Sequence, residues 1–152
     1  MDAFFGSWKL VKNENLNQLI TLHGVEEEVI TVSDVLKPVI TFSQAGDCVV
    51  YKVQSTILKT QNKFRLGEEF HDEVFPGRFC KSTMNLEGEK LILVHLYEGW
   101  KFTTVFEIQD GKMIQTLTRE DVTAVRTYEK VSMLDKVLHH FLIADLQYEN
   151  ML

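Results

Sequence analysis

The residues of this sequence best suited to chemistry are an arginine and a tyrosine two positions apart, Arg126 and Tyr128, in the segment DVTAVRTYEK (121–130). Alternate side chains of a β-strand share a face, so both would lie beside Val122 and Ala124, on a face without an acid. An arginine that points into an apolar interior needs a partner, because burying an unpaired charge is very costly. The pair could therefore hold the carboxylate of a ligand. The alternative is a surface arginine on an edge strand, and this strand alone favours neither.

The composition is that of a single globular domain without a basic surface. The chain has 152 residues, of which 45% are hydrophobic and 25% charged, and its net charge is −6. General binding of nucleic acid is disfavoured, because it needs a basic surface. No apolar run of about eighteen residues predicts a membrane span, and the N-terminus lacks the basic start of a signal peptide. We expect a cytoplasmic protein with Cys48 and Cys80 as reduced thiols.

Alternation and turn residues predict an antiparallel meander of about ten strands. The predicted strands cover residues 7–12, 39–44, 48–54, 57–60, 63–66, 79–86, 90–97, 101–109, 112–119 and 122–130. A further short strand is expected near Glu69–Phe70, whereas Gln61 and Asn62 are interpreted as a break and GEEFHDE (67–73) as a solvated turn. Apolar residues at helical spacing predict two short helices between the first two strands, the second ended by Pro38.

A meander of this length either splits into two packed sheets or closes into a barrel, which removes the exposed edges. A closed barrel of about ten strands is too wide for its own side chains to fill, so it would enclose a cavity. Thr104 and Phe106 share one face of the strand 101–109, as Tyr51 and Val53 do on an earlier strand. A β-sandwich core fits this alternation equally well. The two inserted helices favour the barrel, because they could cover an open end.

Five segments in order resemble the intracellular lipid-binding proteins, and within them the cytosolic fatty-acid-binding proteins. The segments are FFGSWKLVKNEN (4–15), LKP (36–38), FRLGEEF (64–70), DGK (110–112) and VRTYEKV (125–131). The resemblance implies a mainly β fold, a ten-stranded antiparallel up-and-down β-barrel (clam) with a helix-turn-helix lid. It also implies one fatty acid or related lipid inside, its carboxylate held by Arg126 and Tyr128.

Two positions depart from that family's pattern. Members that hold the carboxylate most fully have a second arginine where this chain has Phe106, and an acid two residues before Arg78, where this chain has Pro76. Losing both is electrostatically consistent, because neither leaves the other uncompensated. The expected result is a drier, more apolar cavity with one anchor. His95 and Gln115 could add hydrogen bonds from inward positions, although a satisfied wall residue is the favoured interpretation of His95.

The predicted ligand-binding set combines anchor, wall and portal positions. Leu16 and Ile57 stand where the family often has aromatic residues at the first helix and the portal turn. Three acids at 26–28 would repel an anionic membrane, so weak or no contact with such membranes is expected, although acids also suit a helix N-terminus. The full set is Arg126, Tyr128, Phe106, Thr104, Val53, Leu117, Gln115, His95, Arg78, Leu16, Ile57 and Pro38.

The chain continues beyond the resemblance. Ser132 and Asp135 form a start like a capping box, and an apolar stripe after them predicts a helix over 133–147. We therefore predict two units, a lipid-binding barrel over 1–131 and a C-terminal helical extension over 132–152. The extension would either pack on its own barrel, which is the favoured interpretation, or contact a partner.

Two function classes remain. The leading hypothesis is a monomeric, non-enzymatic carrier of a long-chain fatty acid or similar hydrophobic ligand, without cofactor, metal or nucleic acid. The alternative is a protein-interaction barrel that acts through its C-terminal helix and has a reduced or blocked cavity. An enzyme ranks third, because the sequence has no GxSxG motif, Gly-rich phosphate loop or metal-spaced His or Cys set. Retinoids and bile acids remain alternative ligands, since sequence does not define the shape of a cavity.

Overall fold

Antiparallel strands make up most of the described chain. The computed structural model describes residues 1–16, 18–19, 38–55, 59–75 and 78–132. One 3₁₀ turn, Asp2–Phe4, precedes the first strand. The strands are β1 (Gly6–Glu14), β2 (Val39–Ala45), β3 (Cys48–Gln54), β4 (Lys59–Phe64), β5 (Glu69–Phe75), β6 (Arg78–Glu87), β7 (Lys90–Tyr97), β8 (Trp100–Gln109), β9 (Lys112–Arg119) and β10 (Val122–Lys130).

The strands form a nearly closed barrel. Hydrogen-bonded neighbours follow the order β4-β3-β2-β1-β10-β9-β8-β7-β6-β5, so consecutive strands pair as a meander and β1 pairs with β10. The two strands that end this order, β4 and β5, meet through side chains, because the rings of Phe64 and Phe70 stack with their centroids 4.2 Å apart. We call this meeting line the seam. The predicted ten-stranded antiparallel barrel is confirmed, and the sandwich is not formed.

The predicted break at Gln61 and Asn62 is wrong. β4 runs through both residues in register with β3, so the predicted strands 57–60 and 63–66 merge into one. The next strand, β5, occupies the stretch interpreted as a solvated turn. Asn62 is half-buried and Phe64 is buried, so a polar side chain here faces inward. Alternation is recognised from apolar side chains, and an inward polar residue therefore resembles a turn in sequence.

Most of the predicted helices lie outside the described residues. Leu16, Gln18 and Leu19 are helical, and the Leu19 N–H donates to the Asn15 carbonyl at 3.3 Å. This is where the first lid helix was expected to begin. The rest of the lid and the helix over 133–147 stay predictions. Within the described ranges, no helix is both long and apolar enough to cross a membrane.

Two apolar clusters occupy different levels of the interior. The larger contains Phe4, Trp8, Leu10, Ile40, Phe42, Val49, Tyr51, Phe64, Phe70, Met84, Leu91, Leu93, Phe106, Met113 and Tyr128. The smaller contains Leu16, Leu19 and Ala124, with Leu117 and Val122 packed against it. On β9 and β10, the paired residues Gln115 and Arg126 lie between these clusters. On β9 and β10 the inward face is therefore polar between two apolar clusters.

Candidate functional site

Arg126 and Tyr128 both face the interior from β10, as alternation predicts. Tyr128 is fully buried, and its hydroxyl donates to Gln115 Oε1 at 2.7 Å. Arg126 Cζ lies 5.9 Å from the centroid of the Tyr128 ring, within cation–π range. The Arg126 Nε is buried and has no hydrogen-bond partner among the described residues. A buried N–H donor without a partner favours an acceptor at this position.

The ionisation of Tyr128 follows from the same surroundings. Burial raises the pKa of its hydroxyl, and the charge of Arg126 opposes that rise. Tyr128 is therefore a neutral donor at pH 7, and its proton is already used by Gln115. It would have to release Gln115 to donate to a ligand. The role predicted for Tyr128 thus requires an exchange of partners.

One row of paired residues that includes this arginine crosses four strands. Phe106 pairs with Gln115, which pairs with Arg126, which pairs in turn with Asn13 on β1. Phe106 is fully buried and contacts the rings of Phe42 and Tyr51 edge-on, with centroids 5.5 and 6.4 Å away. The position predicted to lack a second arginine is therefore filled by an aromatic core residue.

Asn13 is a site residue that the sequence does not indicate. The register of β1 against β10 shifts between Leu10 and Lys12, and this bulge exchanges the faces of the residues that follow. Asn13 consequently turns inward, where its Oδ1 is buried and has no hydrogen-bond partner within the described part of the chain. One sequence signal does nevertheless point to Asn13: it lies between Lys12 and Glu14, and two charges at that spacing rarely share an interior face. In the structure the two charged side chains pair at 2.9 Å on the outside.

His95 is held within the barrel wall. Its Nδ1 lies 2.9 Å from the Ser82 hydroxyl and its Nε2 lies 3.5 Å from the Thr104 hydroxyl. The Phe102 ring stacks on the imidazole at 4.2 Å. These contacts support the wall interpretation of His95. A serine beside a histidine can form a nucleophile–base pair, but the buried Ser82 hydroxyl belongs to the set of contacts that fixes the imidazole in the wall.

Asp72 brings a carboxylate into the interior, and the interpretation of residues 67–73 as a solvated turn is wrong at this position. Asp72 is 4% exposed on β5, and Asn62 Nδ2 donates to its Oδ1 across the seam at 3.1 Å. Burial raises the pKa of this carboxyl to about 6, although the hydrogen bond from Asn62 opposes the rise. The interior, which was expected to be more apolar with a single charged anchor, therefore also contains an acid. This acid is Asp72, four positions before Pro76, where the acid of the family's pattern is missing.

The other predicted residues are distributed over the wall and the portal end. Thr104 is buried, Val53 is half-buried beside the larger cluster, and Leu16 packs with Leu117 in the smaller one. Pro38 is buried just before β2, and its carbonyl accepts a hydrogen bond from the Leu10 N–H at 3.2 Å. Pro38 therefore holds the backbone of β1 through this hydrogen bond, which is not a contact with the interior of the barrel.

Some predictions fall outside what is described. Arg78 begins β6 opposite Phe75, but its side chain lies outside the described part, as do Ile57 and Pro76. The described residues contain no group of acids, histidines and cysteines that could hold a metal ion. Cys48 and Cys80 are free thiols, and burial raises the pKa of Cys80 to about 11, which makes it a poor nucleophile.

Comparison with known proteins supports a ligand-binding barrel. Residues 2–134 match the model of the lipocalin / cytosolic fatty-acid binding protein family. The chain is also similar to the bilirubin-inducible fluorescent protein UnaG of Anguilla japonica. The two are 38% identical over 139 residues, which cover 87% of this chain and 99% of that protein.

Solved structures have the same architecture. A fatty-acid-binding protein of Schistosoma mansoni in complex with arachidonic acid is similar at a TM-score of 0.82 and 29% identity, covering 87% of this chain and 98% of that one. Fatty-acid-binding protein 1 of Echinococcus granulosus is similar at a TM-score of 0.81 and 26% identity, covering 87% of this chain and 100% of that one. These similarities point to binding rather than catalysis.

Proposed function

The chain belongs to the lipocalin / cytosolic fatty-acid binding protein family, and we propose that it is a non-enzymatic carrier that binds a long-chain fatty acid or similar hydrophobic ligand inside the barrel. The apolar groups above and below the polar level of the interior would cover the hydrocarbon chain. Each buried methylene contributes about 0.8 kcal/mol, so the hydrocarbon chain of the ligand would supply most of the binding free energy. The ligand's polar head would lie at the level of Arg126.

The observation that carries this proposal is the buried Arg126 Nε, which has no hydrogen-bond partner in the described ranges. A carboxylate or carbonyl oxygen that accepted from this N–H would remove the penalty of an unpaired buried donor. Charge-assisted hydrogen bonds are stronger than neutral ones, so one arginine could orient the head group. Tyr128 supports that arginine through its ring face and would add a hydrogen bond only after leaving Gln115.

Displacement of a fluorescent fatty acid tests the proposal. Arg126→Gln should weaken the binding of oleate about 10- to 100-fold, since a hydrogen bond to a charged group contributes about 1.5–3 kcal/mol. Arg65→Gln is the matched control, because Arg65 is an exposed arginine that pairs with Asp47 on the surface. Equal oleate affinity in the two variants would exclude Arg126 as the anchor. A wild-type protein that bound no lipid would refute the carrier function itself.

A second candidate ligand follows from the comparisons. The relative at 38% identity is described as bilirubin-inducible, whereas the two fatty-acid-binding structures are 29% and 26% identical. Bilirubin should therefore be titrated in the same assay. If it displaces the fluorescent fatty acid more effectively than oleate does, bilirubin or a related pigment is the better assignment. If it fails to displace the fatty acid, the fatty-acid assignment is retained.

We further propose a monomer in the cytoplasm, with little affinity for anionic membranes. The family's cytosolic members support the location, and the net charge of −6 supports the weak membrane contact. The comparisons do not favour an interaction barrel that acts through residues 132–152. Size-exclusion chromatography with light scattering measures the oligomeric state, and sedimentation with phosphatidylserine vesicles measures membrane binding.

A further inference from the structure

The seam between β4 and β5 brings a carboxylate to the interior. These strands end the hydrogen-bonded order of the sheet, so side chains rather than a backbone ladder connect them. Phe64 stacks on Phe70, and Asn62 Nδ2 donates to Asp72 Oδ1 at 3.1 Å. Asp72 is 4% exposed. The seam therefore presents an acceptor of hydrogen bonds within the barrel.

This carboxylate retains capacity for another donor. An ionised carboxylate has about four lone-pair sites; Asn62 occupies one of them and the Glu73 backbone N–H another, which leaves about two. Burial raises the Asp72 pKa to about 6 despite these hydrogen bonds, and the charge of the neighbouring Glu73 raises it further. Asp72 is thus mainly ionised at pH 7, in surroundings that do not fully compensate its charge.

The side chains that face Asp72 from neighbouring strands carry no positive charge within the described part of the chain. Tyr51 lies on β3, and burial raises the pKa of its hydroxyl well above the usual value. Cys80 pairs with Asp72 on β6, and burial raises its pKa to about 11. Both are neutral at pH 7. A hydrogen-bond donor on a ligand would therefore meet the Asp72 carboxylate, whose negative charge Tyr51 and Cys80 do not compensate.

Tyr51 relates Asp72 to the row that contains Arg126, because Tyr51 pairs with Asn62 on β4 and its ring contacts Phe106 in that row. The charge of Asp72 raises the pKa of Tyr51, and the charge of Arg126 lowers it. Both charges therefore act on one side chain within the same low-dielectric interior, where charges interact over longer distances than in water. A carboxylate head group would be attracted by Arg126 and repelled by Asp72. A neutral head group with one acceptor and one donor would avoid the repulsion.

We propose that Asp72 and Asn62 form a second polar subsite, at the seam, which selects a hydrogen-bond donor on the ligand. The preferred head group is then a neutral amide, whose carbonyl accepts from Arg126 and whose N–H donates to Asp72, rather than a free carboxylate. This inference rests on the proposed carrier function, since a ligand must occupy the barrel for its head group to be selected.

A matched pair of ligands tests the selection. Oleate and oleamide share one hydrocarbon chain, and each is used to displace a fluorescent fatty acid from the full-length protein at pH 7.5. Wild type should bind oleamide more tightly than oleate. Asp72→Asn should reduce this preference about tenfold, because it removes both the charged acceptor and the repulsion of oleate. Glu69→Gln removes one charge from an exposed position of the same strand and should leave the preference unchanged.

The outcomes separate the two proposals. If both lipids bind and the preference is the same in wild type, Asp72→Asn and Glu69→Gln, the subsite is refuted while the carrier function stands. If wild type binds oleate at least tenfold more tightly than oleamide, the subsite is refuted without any variant. If neither lipid displaces the fluorescent fatty acid, the carrier function fails and the subsite with it.

Discussion

Replacing Asp72 by asparagine should stabilise the ligand-free protein above pH 6. Burial raises the pKa of this carboxyl from 3.8 to about 6, so the native state binds the proton more tightly than the unfolded chain does. A difference of about two pKa units, at 1.36 kcal/mol each, corresponds to about 3 kcal/mol. The stabilisation from the bound proton is complete below the unfolded pKa and is lost as pH rises through about 6. Asparagine does not titrate and so avoids this loss.

The Asp72→Asn variant keeps the hydrogen bond from Asn62, so its comparison with wild type isolates the effect of the ionisable carboxyl. An asparagine at position 72 can still accept the hydrogen bond that Asn62 donates across the seam. The difference in unfolding free energy between Asp72→Asn and wild type should be close to zero near pH 4. It should grow to about 3 kcal/mol in favour of the variant by pH 7.5. Urea denaturation of delipidated protein, followed by the intrinsic fluorescence of its two tryptophans, of which Trp8 is buried, measures this difference at each pH.

The pH dependence of a control variant tests whether burial of Asp72 causes the effect. Glu69→Gln changes an exposed acid on the same strand and should shift stability by less than about 0.5 kcal/mol at every pH. If the advantage of Asp72→Asn does not change between pH 4 and pH 7.5, burial does not govern this carboxyl. If wild type is instead more stable than the variant above pH 6, a cation compensates the charge of Asp72 in the folded protein.

Two further substitutions test packing and hydrogen bonding in the interior. Tyr128→Phe should destabilise the protein by about 1–3 kcal/mol, because it leaves the buried Gln115 oxygen without its donor; urea denaturation measures this loss. Phe70→Ala should destabilise it by about 3–5 kcal/mol, because it removes a large buried side chain from the seam; thermal unfolding measures the corresponding fall in Tm.

Each of these substitutions has a matched comparison. Adding Gln115→Leu to Tyr128→Phe should recover part of the lost stability, since replacing both partners by apolar groups leaves no unpaired atom. No recovery would show that the hydrogen bond is not the source of the loss. Phe79→Ala removes a side chain that is 58% exposed and should change stability by less than about 0.5 kcal/mol. Equal effects of Phe70→Ala and Phe79→Ala would mean that the seam is not closely packed.

Period-two alternation determined most of the strands and their faces from the sequence alone. The last two predicted strands, 112–119 and 122–130, coincide with β9 and β10. The inward positions of Arg126 and Tyr128 also follow from alternation. These features are local, because successive side chains of any strand point to opposite faces whatever it pairs with. The order of short strands and turns also indicated a meander, which the barrel confirms.

Tertiary structure alone decided that Asn13 and Asp72 belong to the interior and which partner the Tyr128 hydroxyl takes. Asn13 faces inward because a bulge shifts the register of β1 against β10, and Asp72 is buried because β5 meets β4 at the seam. The Tyr128 hydroxyl donates to Gln115 because the two strands pair in one register. Each depends on how a strand meets its neighbour in the barrel, and local alternation carries no information about the partner strand. The sequence therefore indicated the inward arginine proposed as the anchor, and only the assembled barrel showed the carboxylate that shares its interior.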